Sequence, residues 1–164
     1  MTTDLEKRVI VYIDGSSQGN PGPSGVGVYI YGKLPRSSNT KHWFARYIGI
    51  RTNNEAEYYA LLYALEFLAT QLSLTSQAKI SEIVIRTDSE LLYNQMLGQY
   101  RVRDRKLKKL YAQAQNVLRK LPMVTFQLIP REKNRVCDRL AKRVVVERTK
   151  HLIPVKRQPK LDGQ

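Results

Sequence analysis

Val9-Ile10-Val11-Tyr12-Ile13-Asp14-Gly15 is an unbroken run of five strand-favouring residues that ends on an acid. Lacking helical spacing, the run reads as a strand buried on both faces, with Asp14 where the chain leaves the core. Two explanations compete for that carboxylate. Asp-Gly is a common hairpin signal, which makes Asp14 a turn residue. Acids at the ends of core strands are also where open α/β sheets hold their ligands. The rest of the chain has to decide.

Downstream, Ser16 to Gly25 is rich in glycine, proline and serine, which forces a turn and lets a phosphate approach the backbone. Val26 to Tyr31 is β-rich, Gly32 to Thr40 reads as a loop, and Lys41 to Ile50 alternates through Trp43, Ala45, Tyr47 and Gly49. Three strands with short connections make an antiparallel meander. Thr52-Asn53-Asn54-Glu55 then has capping-box spacing and opens a helix to about Leu72. Glu55 has a structural task there, reaching back to the cap. Glu57 instead falls in line with Ala60, Ala64 and Phe67 or Leu68, so it crowns the buried stripe and needs a partner.

Glu82 to Arg86 is a second core-type strand, ending in Thr87-Asp88-Ser89. Asp88 is either the N-cap of the short helix that runs to about Gly98 or a second acid at a strand end. A longer helix covers Arg103 or Asp104 to Lys120, a strand Met123 to Ile129, and a final helix Arg135 to Arg148. On that last helix Asp138 stands in register with Ala141 and Val145, a third acid above an apolar stripe.

The order of elements gives an α/β mixed sheet: an antiparallel meander plus two strands joined by helical crossovers. If the Glu82 strand lies parallel to the Val9 strand, Asp14 and Asp88 become neighbours about 4.8 Å apart. Carboxylates that close repel, so either one holds a proton or a cation lies between them. Glu57 and Asp138 arriving from flanking helices make protonation of all four implausible. The single cysteine, Cys137, and the two histidines, His42 and His151, form no zinc spacing, whereas an all-carboxylate set suits Mg2+ or Mn2+. No nucleophile-and-base motif is present.

Composition points the same way. The 164 residues carry a net charge of +14, and 19 of the 28 basic residues lie between Arg101 and Lys160. Such a surface attracts polyanions, with nucleic acid ahead of anionic membrane or acidic protein. No signal peptide or membrane span is evident, so the sequence reads as cytoplasmic. One cysteine excludes an internal disulfide framework. The chain divides into one domain over 1–150 and a basic tail, 151–164, expected to be flexible.

Four segments then resemble the type 1 ribonucleases H: Tyr12 to Gly25 (YIDGSSQGNPGPSG), Thr52 to Glu57 (TNNEAE), Thr87 to Ser89 (TDS) and Asn134 to Ala141 (NRVCDRLA). They fall in the family's order, and together they are specific. The resemblance implies a ribonuclease H-like fold, a five-stranded mixed sheet flanked by helices. It implies a catalytic, metal-binding set of Asp14, Glu57, Asp88 and Asp138, with Asp14 bridging two Mg2+ ions for which Mn2+ is a possible substitute. It further implies hydrolysis of the RNA strand of RNA/DNA hybrids to 5′-phosphate and 3′-hydroxyl ends; no protein partner is implied, and a monomer is expected. Gly15, Asn20, Thr52, Asn53 and Asn54 would contact substrate. Two departures stand out. Many members carry a histidine in the loop before the last acid, where this chain has Pro130 to Asn134; Arg131, a substrate contact, or Glu132 would take its part. The extra helix and basic loop of some members are also missing, leaving Arg101 to Lys109 and the tail to supply charge. The rival readings are a catalytically weak nucleic-acid binder and a metal-dependent nuclease acting on DNA.

Overall fold

The computed structural model describes residues 8–35, 37–73 and 80–149. Its elements are β1 (Arg8–Ser17), β2 (Gly22–Tyr31), β3 (Lys41–Arg51), α1 (Asn53–Ser73), β4 (Glu82–Thr87), α2 (Glu90–Met96), α3 (Arg105–Leu118), β5 (Met123–Leu128) and α4 (Arg135–Thr149). The basic tail and His151 lie outside the described residues. Among the described residues no helix is long and apolar enough to cross a membrane.

The sheet order is β3-β2-β1-β4-β5. β1 to β3 pair antiparallel, and β4 joins β1 and β5 in parallel. The meander and the parallel pair are as expected, and β1 lies at the centre. Val9, Val11 and Ile13 point into the core shared with α1, together with Val26, Val28, Ile30, Ile83 and Ile85. α3 packs on α1, while α4 lies across the opposite face against β1, β2 and β3. That approach is close, since a Cβ at Gly27 would collide with the carbonyl of Cys137.

Two local readings change. β1 does not stop at Asp14 but stays paired with β2 as far as Ser17 opposite Ser24, so Asp14-Gly15 is not the hairpin turn. The turn falls at Gln18 to Pro21, with a cis Asn20–Pro21 peptide. Asp88 is not the N-cap of α2 either: Ser89 is, its side chain accepting a bond from the Leu92 N–H. Both corrections release the acids from structural duty.

Candidate active site

β1 and β4 run in register to Tyr12 opposite Arg86, so Asp14 and Asp88 each stand two residues past the last paired position. The strands therefore bring both acids to one edge of the sheet. Glu57 reaches them from the first turns of α1, whose start is held by a capping box. Thr52 Oγ1 accepts from the Glu55 N–H at 3.1 Å, and Glu55 Oε1 accepts from the Thr52 N–H at 3.2 Å. Glu55 is buried in this task, paired also with Arg51. Glu57 is left free to face the sheet. Gly15 lets α1 come this near, because a Cβ there would strike the backbone of Ala56 and Glu57. Its N–H donates to Glu57 Oε2 at 3.3 Å.

Carboxylate oxygens of Asp14, Glu57 and Asp88 lie within 4.8 Å of one another. Burial and the charges of Asp88 and Asp138 push Asp14 up to about 8. Burial and the neighbouring Asp14 and Asp88 also raise Glu57 well above the carboxylate range. Asp88 is raised by burial, with relief from the Asn134 amide and the Arg131 guanidinium. Three converging acids that resist ionisation need protons or a cation. The all-oxygen donor set fits a hard divalent ion such as Mg2+ or Mn2+.

Asp138 stands in the first turn of α4 and lines the same cleft, of about 400 Å³. It is not within the three-acid cluster; its Oδ2 accepts from Lys142 Nζ at 3.0 Å. Gly15, Asn53, Asn54 and Arg131 line the cleft too. Asn20 and Thr52 do not. Asn20 Oδ1 accepts from the Asn53 N–H at 3.1 Å, and Asn53 Oδ1 from the Ser17 N–H at 3.2 Å, which staples the β1–β2 hairpin to the start of α1.

Sequence reasoning assigned no role to Asn134 or Lys142. Asn134 is 1% exposed and donates to the Ile13 carbonyl at 2.8 Å and to Asp88 at 3.4 Å. It fastens the loop after β5 to the two acid-bearing strands. A polar residue ahead of a helix signals a cap, which is why its long-range task was invisible. Lys142 was detectable, since a lysine four residues after an aspartate on a helix is a pairing spacing.

A mixed sheet of this order, with acids converging where β1 and β4 part, defines a ribonuclease H-like protein. A family model described as reverse transcriptase-like matches residues 12–144, and the chain belongs to that family. It is 35% identical to the "Bifunctional protein Rv2228c" of Mycobacterium tuberculosis over 134 residues, 82% of this chain and 34% of that protein. It is 33% identical to the "Ribonuclease HI" of Halobacterium salinarum over 142 residues, 84% of this chain and 64% of that protein. The chain thus spans about a third of the length of the mycobacterial relative and under two thirds of the archaeal one. Among solved structures, LC11-RNase H1 in complex with RNA/DNA hybrid superposes with a TM-score of 0.74 at 38% identity, covering 85% of this chain and 98% of that one. The RNase H1 of Halobacterium salinarum gives 0.74 at 31% identity, with 85% and 98% covered.

Proposed function

We propose that this chain is an endoribonuclease that hydrolyses the RNA strand of RNA/DNA hybrids with divalent metal ions, leaving 5′-phosphate and 3′-hydroxyl ends. The observation that carries the reading is the convergence of Asp14, Glu57 and Asp88 within 4.8 Å in a protein of net charge +14. Its support from similarity is LC11-RNase H1, solved with an RNA/DNA hybrid.

Asp14, Glu57 and Asp88 would hold the metal, with Asp138 completing a two-ion set and Asp14 at its centre. When bound, such ions supply Lewis-acid activation of the attacking water and offset charge on the departing oxygen. The protein's own groups do the rest. Arg131 lies in the cleft near Asp88, where its guanidinium can bind a phosphate oxygen. Asn53 and Asn54 are exposed on the cleft rim at the start of α1, positioned for the minor groove of the hybrid. The Gly15 backbone sits at the cleft floor for a ribose 2′-hydroxyl, the group by which a protein distinguishes RNA from DNA. Asn20 and Thr52 contribute by holding Asn53 and the helix start. Both Mg2+ and Mn2+ suit the donor set, and our reading is of a monomer acting in the cytoplasm.

The test is cleavage of one labelled RNA strand offered as RNA/DNA hybrid, as RNA duplex and as single strand, with Mg2+, with Mn2+ and with chelator. Cutting confined to the hybrid and dependent on metal is the expected result. Cutting that survives chelator, or none with either metal, overturns the reading.

A further inference from the structure

The face of the sheet that carries α4 is only partly covered by it. α4 begins beside β1, where Cys137 Sγ meets the Tyr12 carbonyl, and passes above Gly27 and Gly25 to Tyr47, whose ring lies 5.9 Å from the Arg148 guanidinium. Toward the opposite end of the strands the same face carries aromatic side chains in register: Trp43 opposite Tyr29, and Tyr29 opposite Tyr12. Tyr31, two residues beyond Tyr29, lies diagonal to Trp43, within reach across a strand pair. Phe44 marks the other face, packing on Phe67 of α1, so Trp43 points away from that core. Trp43 is 63% exposed and Tyr31 49%.

Among the described residues neither ring is in a ring-ring or cation–π pair, and basic side chains outnumber acidic ones around them. Lys41 sits opposite Tyr31, and Arg86 lies over the Tyr12 ring at 5.4 Å. Tyr12 and Tyr29 form one wall of a pocket of about 300 Å³ whose other wall is Glu132 to Val136, with Lys133 and Arg135. Arg131, just before that segment, lines the acid cleft, so the loop separates the two sites.

We propose that Trp43 and Tyr31, beside Lys41 and next to the pocket that Tyr29 shares with the Lys133–Arg135 loop, form a second binding site that takes single-stranded nucleic acid by base stacking. Exposed rings on a sheet beside cations are what unpaired bases and their phosphates fit, whatever the sugar. Charge argues against the other occupants. A second copy would bring another +14 surface to a patch that already holds Lys41. The C-terminal segment, with Lys156, Arg157 and Lys160, is likewise of the wrong sign. The site does not depend on the acid cleft cutting anything.

Trp43 is the protein's single tryptophan, so its fluorescence reports this site directly. The 164-residue chain is titrated in chelator with oligo-dT and oligo-U of about fifteen nucleotides, a length in the range of single-strand binding sites. Expected are quenching of Trp43 by both and, from labelled-oligonucleotide anisotropy, about a tenfold loss of affinity in Trp43→Leu, consistent with the loss of one stacked base. Trp43→Phe restores most of the affinity, and Tyr31→Leu lowers it similarly. Blunt hybrid cleavage in metal stays at the wild-type rate in Trp43→Leu, which separates this site from the catalytic proposal. Binding without quenching, or unchanged affinity in Trp43→Leu, overturns the inference. So does a dimer in sedimentation that Trp43→Leu dissolves.

Discussion

At the scale of single residues, the cleft is a balance of charges that only a cation or protons can settle. Asp14 is pushed up to about 8 by burial and by its acidic neighbours, from an ordinary value near 4. Between those values the metal-free folded state holds a proton that the unfolded chain releases. Stability from this group is therefore greatest at acid pH and declines as the pH rises toward 8. Asparagine cannot ionise, so metal-free Asp14→Asn should melt above metal-free wild type, by a margin that widens from pH 5 to pH 8. The same variant should lose metal-dependent hybrid cleavage while still binding the hybrid. Thermal melts at several pH values in chelator check the first statement. A margin that narrows with rising pH would show that Asp14 is not the strained member of the cluster.

The elements explain why some of this was legible and some was not. The capping box at Thr52 and Glu55, and the stripe that sets Glu57 apart from Glu55, are local spacings and can be read directly. Thr52→Ala should cost about 1 kcal/mol in urea unfolding, as N-cap losses do. Gly15→Ala should cost about 1–3 kcal/mol, because α1 must move off β1; it should also lower cleavage, since Glu57 moves with the helix. A Gly15→Ala protein with wild-type stability and rate would mean that the close approach is not needed. What could not be read is pairing that changes partner along one strand. β1 leaves β4 after Tyr12 but keeps β2 to Ser17, so Asp14 looks like a strand end although the strand continues. The start of β2 was hidden for a related reason. Gly22 to Gly25 resembles a turn by composition, yet these residues pair with β3, and a Cβ at Gly25 would strike α4. Gly25 answers to a helix more than a hundred residues away, whereas Gly22 answers to the turn at Gln18 and Gly19.

For the molecule as a whole, the charge distribution bears on how the proposed hybrid substrate would be held away from the acids. The basic residues Arg105, Lys106, Lys108 and Lys109 at the start of α3 are all exposed, and no ion pair is found for any of them among the described residues. Leu107, Leu110 and Ala114 bury the other side of the helix, so its cationic face is directed outward. On α4, Lys142 and Arg143 are already engaged by Asp138 and Glu147. α3 is thus a source of positive charge without ion pairs among the described residues. Each phosphate neutralised contributes about 0.9 to the salt slope of duplex binding. Changing Lys106, Lys108 and Lys109 together to Gln should lower the slope of log affinity against log salt by about 2 to 3, if all three reach phosphates. Affinity should fall most at low ionic strength, with the maximal cleavage rate unchanged because no acid moves. Binding isotherms at four salt concentrations decide it. An unchanged slope would make these lysines an ordinary solvated face and leave the grip to Arg131 and the rim of α1.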